Sequence, residues 1–402
     1  MNSFKEYIRE KLKNFALDEA LKEFLLSPRP GIIYGGGNQA QVVAELCQFF
    51  HKPVDGFLVS KGCRRTMPHW PEVPTYTADN ATSVNRQADI ILALHESHHL
   101  EITNHLKKLG FSFIFAPKDW KQVNENGRRL WLDEYYAWHN FSRRTDSSGE
   151  IYLSIPLRTS RTAATDSVYK CYIGPDKVMQ SNIEDQFKDI ILPSIMDDYA
   201  YLCEGPYEYA GVTIQPNDVV LDFGANVGSF SGVAAAKMEK GKVYAFEPTP
   251  STIAYLKKNI SFYGNVEICP YAVSDVVGTA EFTVNGDLDA NPELGKNSMR
   301  PPQNGNDFRW QTITVDTITV DDFVARRKLE RVDFIKADIE GAERQMLRGA
   351  RETLARFAPK LALCTYHLAD DPQVMERIIR EINPKYTIVH KWSKLYAWCP
   401  DA

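Results

Sequence analysis

The second half of the chain alternates short apolar runs with amphipathic stretches whose apolar residues recur at helical spacing. Gly, Pro, Asn or Asp flank most of the apolar runs, which is typical of buried strands. The pattern predicts strands at 219–222, 243–247, 266–273, 332–337, 361–366, 385–390 and 394–398. It predicts helices at 229–239, 250–263, 341–356 and 372–382. Such alternation predicts an α/β fold with a parallel sheet.

The last two predicted strands are separated by only a few residues, including Trp392 and Ser393. A connection this short joins antiparallel neighbours, because parallel neighbours need a longer crossover. We therefore expect residues 201–402 to form a parallel sheet that ends in an antiparallel hairpin.

The first part of the chain predicts a smaller α/β unit. Residues 1–28 repeat apolar positions at helical spacing and predict N-terminal helices. Residues 29–120 predict a Rossmann-like domain with a parallel sheet, since strands and helices alternate there too. Its predicted strands lie at 31–34, 54–59, 89–94 and 111–115, and its predicted helices at 39–50 and 98–109.

Two further segments fit this alternation poorly. Residues 121–200 are rich in aromatic and charged residues, and we expect a connector with a helix at 135–140. Residues 278–322 interrupt the second unit, with predicted strands at 278–284 and 312–319. The loop between them is long enough to act as a lid or an acceptor platform, and a surface hairpin fits equally well.

Composition and charge narrow the class of protein. The 402 residues carry a net charge of -5 with no basic stripe, which argues against nucleic acid as the main partner. No run of about 18 apolar residues is present, so we expect no membrane span. The seven cysteines are scattered without a Cys-x-x-Cys pair, as in reduced cytoplasmic proteins, and the N-terminus lacks an apolar signal core. The oligomeric state cannot be read from these properties.

A glycine turn follows the predicted strand at 219–222. Its pattern, Asp222-x-Gly224-x-Asn226-x-Gly228, is not the dinucleotide fingerprint, because an acidic residue opens the turn where a pyrophosphate would lie. A cationic ligand without phosphate suits the turn better, and S-adenosylmethionine is such a ligand. Asp222 would then hold its ammonium group, and Glu247, about 20 residues beyond the turn, its ribose hydroxyls. An ordinary strand–turn–helix with a capping Asn is the alternative.

A second cluster of acidic residues follows the predicted strand at 332–337. Asp338, Glu340 and Glu343 lie within six residues of one another. They would orient an acceptor hydroxyl, take its proton or bind a divalent ion through oxygen atoms. Helix capping by Asp338, with solvated acids beside it, is the simpler alternative.

These two clusters give the second half a resemblance to the FkbM family of S-adenosylmethionine-dependent methyltransferases. A parallel sheet that ends in an antiparallel hairpin is the layout of class I methyltransferases, to which the predicted elements are similar. The resemblance covers about residues 200–400. No single motif is decisive, but the order and spacing of the motifs together are specific. The matching stretches are 222–228, 246–248, 272–275, 335–343, 346–350, 366–367 and 370–371.

The resemblance implies roles for individual residues. The cofactor turn would consist of Gly224, Asn226 and Gly228, with Asp222 at the methionine end and Glu247 at the ribose. The residues expected beside the adenine are Ala272 and Val273, with Ser274 or Asp275. Asp338 would lie closest to the methyl group and the acceptor. Family members methylate hydroxyl oxygens on sugars, polyketides and other natural products, so O-methylation of such an acceptor is implied.

The acceptor hydroxyl must lose a proton as the methyl group passes in line from sulfur to oxygen. Asp338 and His367 are the two candidate catalytic residues for this step. A neutral imidazole is suited to it near pH 7. A purely structural histidine at the end of a strand is the alternative.

The first unit carries a glycine turn of its own. Residues 35–40 fit Gly-x-Gly-x-x-Ala, which indicates an NAD(P)- or nucleotide-sugar-binding oxidoreductase or binding protein as the alternative function. The acid expected after the second strand is absent, and Asp55 begins that strand instead. The unit is similar to the small Rossmann-like domains of bacterial sugar acyltransferases, so we favour a recognition or scaffolding role. We assign no metal site to His95, His98, His99 and His105, because His95 falls at a strand end.

Overall fold

The structure is a computed structural model, and it describes residues 4–13, 15–50, 52–60, 73–78, 84–120, 123, 142–157, 168–172, 205–285 and 310–400. The chain divides into two compact units. The first consists of Met1–Asn140 with Ala200–Glu204, and the second of Phe141–Tyr199 with Gly205–Ala402. The domain boundaries drawn from the sequence, with a separate connector at 121–200, stay a prediction.

The first unit contains a five-stranded sheet in the order β3-β2-β1-β4-β5, and every neighbouring pair is parallel. Its strands are β1 (Gly31–Tyr34), β2 (Val54–Val59), β3 (Thr75–Thr77), β4 (Asp89–Leu92) and β5 (Ile114–Phe115). Its helices are α1 (Phe4–Lys13), α2 (Glu19–Leu26), α3 (Asn38–Phe49) and α4 (His99–Lys108). The predicted parallel sheet is confirmed. Strands β1 and β4 are buried at every position, as expected of central strands covered on both faces.

The second unit is built on a seven-stranded sheet in the order β11-β10-β9-β15-β16-β18-β17. Its strands are β9 (Val219–Phe223), β10 (Lys242–Phe246), β11 (Val266–Cys269), β15 (Phe334–Ala337), β16 (Lys360–Cys364), β17 (Thr387–Lys391) and β18 (Lys394–Trp398). The first five of these strands pair in parallel, whereas β18 is antiparallel to both β16 and β17. The predicted parallel sheet with a final antiparallel hairpin is confirmed.

Six helices are described in this unit, and side chains of the last four pack with residues of the sheet in one apolar core. They are α5 (Ser229–Lys237), α6 (Pro250–Ile260), α7 (Val320–Arg327), α8 (Glu343–Arg348), α9 (Arg351–Phe357) and α10 (Asp371–Ile382). The single helix predicted at 341–356 was wrong, because the structure breaks it at Gly349. A Cβ atom there would lie 2.3 Å from the backbone oxygen of Ser274, so the helix end is fixed by a close approach of two backbones.

A small sheet of three strands, in the order β12-β14-β13, is formed by residues that lie between β11 and β15 along the chain. It contains β12 (Ala272–Val273), β13 (Gly278–Asn285) and β14 (Trp310–Ile318). The strands predicted at 278–284 and 312–319 are confirmed as an antiparallel pair. The strand predicted at 266–273 is split, because β12 leaves the main sheet to pair with β14. The loop for which a lid, an acceptor platform or a surface hairpin was left open falls at 286–309, outside the described residues.

A further antiparallel sheet of the second unit was not predicted. It consists of β6 (Ser142–Thr145), β7 (Ile151–Pro156) and β8 (Val168–Tyr172). Hydrogen bonds connect β8 to a later segment of the unit: the backbone N–H of Lys170 donates to the Tyr263 hydroxyl at 2.7 Å, and that of Tyr172 donates to Asn259 Oδ1 at 3.1 Å. The helix predicted at 135–140 lies outside the described residues.

Membrane insertion was not expected from the sequence. In the part of the chain that the structure describes, no helix combines the length and the apolar character needed to cross a bilayer.

Candidate active site

The residues singled out in the sequence lie after the carboxyl ends of parallel strands in the second unit. The glycine turn follows β9, Glu247 follows β10, Asp338 follows β15 and His367 comes shortly after β16. Because these strands are neighbours in one parallel sheet, all four positions lie at the same edge. In open α/β sheets this edge is where ligands bind.

The turn after β9 has left-handed backbone at three positions. The φ angles are +76° at Gly224, +50° at Asn226 and +91° at Gly228. A Cβ atom on Gly224 would lie 1.9 Å from the backbone oxygen of Asp338, and one on Gly228 would lie 2.7 Å from Leu256. Glycine is therefore required at both positions by backbone conformation and by protein packing. The assignment of both glycines to cofactor binding stays a prediction.

We expect Gly224→Ala to destabilise the fold by more than about 1 kcal/mol, because its φ disfavours a side chain and the Cβ position is already occupied. Gly264 is the matched control, since a Cβ atom there meets nothing within 4 Å. We expect Gly264→Ala to change the free energy of unfolding by no more than about 0.5 kcal/mol. Urea denaturation of the two variants measures the difference, and equal stabilities would contradict this account of the turn.

Lys336 lies beside Asp222 at the centre of the sheet. The two residues are register partners on the parallel strands β15 and β9, and the Lys336 Nζ atom lies 3.1 Å from Asp222 Oδ1. The same ammonium group donates to the carbonyl oxygens of Phe223 and Gly224, at 3.2 and 2.7 Å. Burial lowers the pKa of Lys336, but the nearby carboxylates of Asp222 and Asp338 outweigh burial and raise it. Lys336 therefore stays charged and holds the glycine turn in place.

Asp222 is fully buried and already has partners within the protein. Besides Lys336, the hydroxyl of Ser231 donates to its Oδ2 atom at 2.5 Å. A direct contact between Asp222 and the ammonium group of a ligand, as the sequence suggested, stays a proposal. The geometry favours an indirect role, in which Asp222 fixes Lys336 and Lys336 fixes the turn.

Glu247 is buried beside the turn with both carboxylate oxygens in use. Its Oε2 atom accepts from the backbone N–H of Asn226 at 3.2 Å, and its Oε1 atom from that of Thr249 at 3.0 Å. Burial raises the pKa of Glu247, and these hydrogen bonds oppose the rise. A carboxylate oxygen can accept more than one hydrogen bond. Glu247 can therefore also accept hydrogen bonds from ribose hydroxyls.

Two polar atoms near Glu247 have no hydrogen-bond partner among the described residues, namely Asn226 Oδ1 and Thr249 Oγ1. Buried polar atoms are normally paired, so unpaired ones at a ligand edge fit a polar ligand that supplies the missing partners. These atoms match the hydroxyl and amino groups of S-adenosylmethionine in chemical type.

The residues expected beside the adenine lie in and after β12. Ala272 and Val273 are buried, while Asp275 is exposed. The backbone N–H of Ser274 donates to the Ile318 carbonyl at 3.0 Å, which ties the segment to β14. Two small apolar side chains with an exposed carboxylate after them are compatible with an adenine edge, and that role stays a prediction.

Asp338 is held by two tyrosine hydroxyls. Tyr207 donates to Oδ2 at 3.0 Å and Tyr366 donates to Oδ1 at 3.1 Å. Burial raises the pKa of Asp338, but the charges of Lys336, His367 and Lys394 and the hydrogen bond from Tyr207 outweigh burial and lower it. Asp338 is therefore an ionised carboxylate in a fixed orientation. It does not cap helix α8, whose N-cap residue is Ala342, so the capping alternative does not apply.

His367 lies among three carboxylates. Its Nδ1 atom is 3.1 Å from Glu343 Oε1, and its Nε2 atom is 3.7 Å from Asp338 Oδ1 and 3.6 Å from Glu340 Oε2. Burial lowers the pKa of His367, but Glu343 first and then Asp338 and Glu340 outweigh burial and raise the pKa to about 10. The neutral imidazole expected near pH 7 is thus not the form that this arrangement favours. A catalytic role for His367 stays a prediction.

Three contributors to the site received no role from the sequence: Lys336, Tyr207 and Tyr366. A lysine inside an otherwise apolar strand, as in Phe334–Ala337, is the available signal for Lys336, because buried lysines require a partner. No local pattern indicates Tyr207, which lies far from Asp338 in sequence. In the first unit, His95 and His99 line an open depression with Glu96 and Ser97, and His95 caps the short helix Glu96–His98.

The comparisons with known proteins bear on the same stretch of the chain. Residues 222–386 match the model of the methyltransferase FkbM domain. This stretch begins at Asp222 and includes the turn, Glu247, Asp338 and His367. Residues 222–386 are a methyltransferase FkbM domain.

The FkbM domain has relatives among characterised proteins. The chain is 32% identical over 148 residues to the 2-O-methyltransferase NoeI of Sinorhizobium fredii, covering 35% of this chain and 61% of the relative. It is 30% identical over 165 residues to the 31-O-demethyl-FK506 methyltransferase FkbM of Streptomyces tacrolimicus, covering 35% and 63%. The hexuronic acid methyltransferase AglP of Haloferax volcanii is 24% identical, with coverage of 42% and 63%. The chain thus spans about three fifths of the length of these relatives.

A crystal structure of a methyltransferase FkbM from Methylobacillus flagellatus KT aligns with this chain at 15% sequence identity. The alignment covers 98% of this chain and 99% of that chain, with a TM-score of 0.37. Because that score is low, the assignment of the FkbM domain depends on the sequence match and on the strand order of the main sheet.

Proposed function

We propose that the FkbM domain transfers a methyl group from S-adenosylmethionine to a hydroxyl oxygen of a saccharide or another hydroxylated small molecule. The observation that carries the proposal is the ionised Asp338, held by two tyrosine hydroxyls at the sheet edge beside the glycine turn. The names of the relatives support the type of acceptor, since one is a 2-O-methyltransferase, another a 31-O-demethyl-FK506 methyltransferase and a third a hexuronic acid methyltransferase.

The cofactor would lie across the carboxyl ends of β9, β10 and β11. The turn at 224–228 would border its methionine portion, Glu247 would accept from the ribose hydroxyls, and residues 272–275 would border the adenine. Asn226 and Thr249 each offer an unpaired polar atom in this region. S-adenosylmethionine supplies a methyl group on a sulfonium centre, which leaves as a neutral thioether.

The protein contributes alignment and removal of a proton. Holding the acceptor oxygen in line with the methyl group lowers the barrier by up to about 7–11 kcal/mol in favourable cases. Asp338 is the residue best placed to accept the hydroxyl proton, because it is ionised and its orientation is fixed. His367 lies beside Asp338 and completes the acceptor side of the site.

Cofactor binding tests the proposal directly. We expect S-adenosylhomocysteine to bind, and we expect Glu247→Ala to weaken its binding by about 1.5–3 kcal/mol, because a charged hydrogen bond to the ribose is lost. Isothermal titration measures both affinities. Glu267→Ala is a control on the next strand, where Glu267 pairs with Lys242 rather than with the turn. Unchanged affinity in Glu247→Ala would show that Glu247 does not hold the ribose.

The competing function is that of an NAD(P)- or nucleotide-sugar-binding oxidoreductase that uses the glycine turn of the first unit. The same titration distinguishes it, because tight binding of NADH with none of S-adenosylhomocysteine would overturn the methyltransferase proposal. A recognition or scaffolding role remains our proposal for the first unit.

A further inference from the structure

We propose that Asp338, Glu340 and His367 form a binding site for a divalent cation of the Mg²⁺ or Mn²⁺ type, and that Glu343 orients His367 for it. This inference rests on the proposed function only for what the cation does; the binding itself is independent of methyl transfer.

The first observation is a convergence of ligand atoms from two strand ends. Asp338, Glu343 and His367 each place one ligand atom within 4.8 Å of the others. Glu340 adds a carboxylate oxygen 3.6 Å from the Nε2 atom of His367. Carboxylate oxygens with one imidazole nitrogen are a ligand set suited to Mg²⁺ and Mn²⁺.

The second observation concerns the hydrogen-bond partners of His367, and it does not depend on how many acidic residues lie nearby. The side chain of His367 is only 9% exposed, and neither of its ring nitrogens has a hydrogen-bond partner among the described residues. Nδ1 has the Glu343 carboxylate 3.1 Å away, whereas Nε2 faces two carboxylates at more than 3.5 Å. A cation between Nε2 and the carboxylates of Asp338 and Glu340 would give Nε2 the partner that it lacks.

The two ring nitrogens of His367 face different partners. Nδ1 faces Glu343, whose Oε1 atom also accepts from the Ile339 backbone N–H at 2.9 Å and is thereby fixed. Nε2 faces Asp338 and Glu340. A histidine that ligates a metal through one nitrogen generally donates its other N–H to a carboxylate or carbonyl. In the proposed site, Nε2 therefore binds the cation, and the Nδ1–H group donates to Glu343.

The spacing is close to what a cation requires. Ligand atoms about 2.1 Å from Mg²⁺ lie roughly 3.0 Å apart when they are adjacent in an octahedron. The distances from Nε2 to Asp338 Oδ1 and Glu340 Oε2 are 3.7 and 3.6 Å, so each carboxylate oxygen needs to approach Nε2 by about 0.6–0.7 Å to reach this octahedral spacing. Glu340 is partly exposed, which gives its side chain room to do so.

The cation would make the acceptor hydroxyl more acidic. A hydroxyl oxygen bound to a divalent ion loses its proton more readily than a free one. In the balanced step, the acceptor O–H proton passes to Asp338 and then to solvent, the new O–CH₃ bond forms, and the S–CH₃ bond breaks to leave a thioether. The cation itself is neither oxidised nor reduced, so no further reactant is needed.

Binding of Mn²⁺ to the full-length protein, followed by electron paramagnetic resonance without cofactor or acceptor, tests this site. We expect one Mn²⁺ per chain and competition by Mg²⁺. Glu340→Gln should weaken binding at least 10-fold, and we expect the variant to fold because the Glu340 side chain is partly exposed. Glu343→Gln should weaken binding about 10–100-fold, as expected of a residue that orients a ligand. Exposed Glu330, which lies outside the cluster, provides the control variant Glu330→Gln, with unchanged binding.

The outcomes separate the two proposals. Mn²⁺ binding that is absent up to millimolar concentration, or that is unaffected by Glu340→Gln and Glu343→Gln, would overturn the cation site. Methyl transfer that persists in EDTA together with absent Mn²⁺ binding would overturn it while leaving the proposed function intact. Stoichiometric Mn²⁺ binding that is lost in these variants supports the site even where no methyl transfer or S-adenosylhomocysteine binding is found, a result that would instead contradict the proposed function.

Discussion

Asp338→Asn should lower the rate of methyl transfer by about 10²–10⁴-fold while S-adenosylhomocysteine binds within a few-fold of the unchanged affinity. The reason is that the substitution removes the ionised carboxylate but keeps a side chain of the same size and an oxygen that accepts from tyrosine. Asp338 accepts from both Tyr207 and Tyr366, which fixes the orientation of its carboxylate.

Single-turnover rates with hydroxylated acceptors, together with calorimetric titration of S-adenosylhomocysteine, measure the two quantities separately. Glu330→Gln removes an exposed acid of the same domain and should leave both unchanged. A rate for Asp338→Asn within about threefold of the starting protein would exclude Asp338 from proton removal. Loss of both rate and cofactor binding would instead assign Asp338 to the cofactor.

Lys336→Met should destabilise the protein by about 3–5 kcal/mol, which is the usual cost of removing one partner of a buried ion pair. The substitution leaves Asp222 charged and fully buried, and it removes the donor to the carbonyl oxygens of Phe223 and Gly224. We also expect weaker binding of S-adenosylhomocysteine, because the glycine turn loses the ammonium group that fixes it.

A double-mutant cycle in urea distinguishes the ion pair from a general packing effect. The double variant Asp222→Asn with Lys336→Met removes both charges, so its cost should be smaller than the sum of the two single costs. Lys257→Met on helix α6 is the control, because Lys257 is exposed and its loss should change stability by no more than about 0.5 kcal/mol. Strict additivity in the cycle would show that Lys336 and Asp222 do not stabilise each other.

The main sheet of the second unit could be predicted from the sequence because the features that indicate its strands are local. Apolar runs bounded by turn residues marked all seven strands of the main sheet, and the short connection around Trp392 marked the final hairpin. The errors, by contrast, have causes that are not local. The break at Gly349 depends on the backbone of Ser274, and the split after Cys269 depends on pairing of β12 with β14, both of which are contacts between distant segments.

The sheet of β6, β7 and β8 shows the same limit. Its strands are short and mostly joined by segments without a clear pattern, and its position depends on hydrogen bonds to Tyr263 and Asn259, about 90 residues later in the chain. Periodicity reports which residues face a core, but it carries no information on which distant element supplies that core.

By itself, the sequence determined the seven strands of the main sheet in the second unit and the edge at which Asp222, Glu247, Asp338 and His367 would meet. Both follow from local periodicity and from the rule that parallel strands end on one side. Only the tertiary structure decided the charge state and partners of those residues. Lys336 neutralises Asp222 because β15 lies next to β9, and three carboxylates surround His367 because α8 begins beside the end of β16. Burial and pairing between distant segments set these electrostatic properties, and neither is encoded in the spacing of residues along the chain.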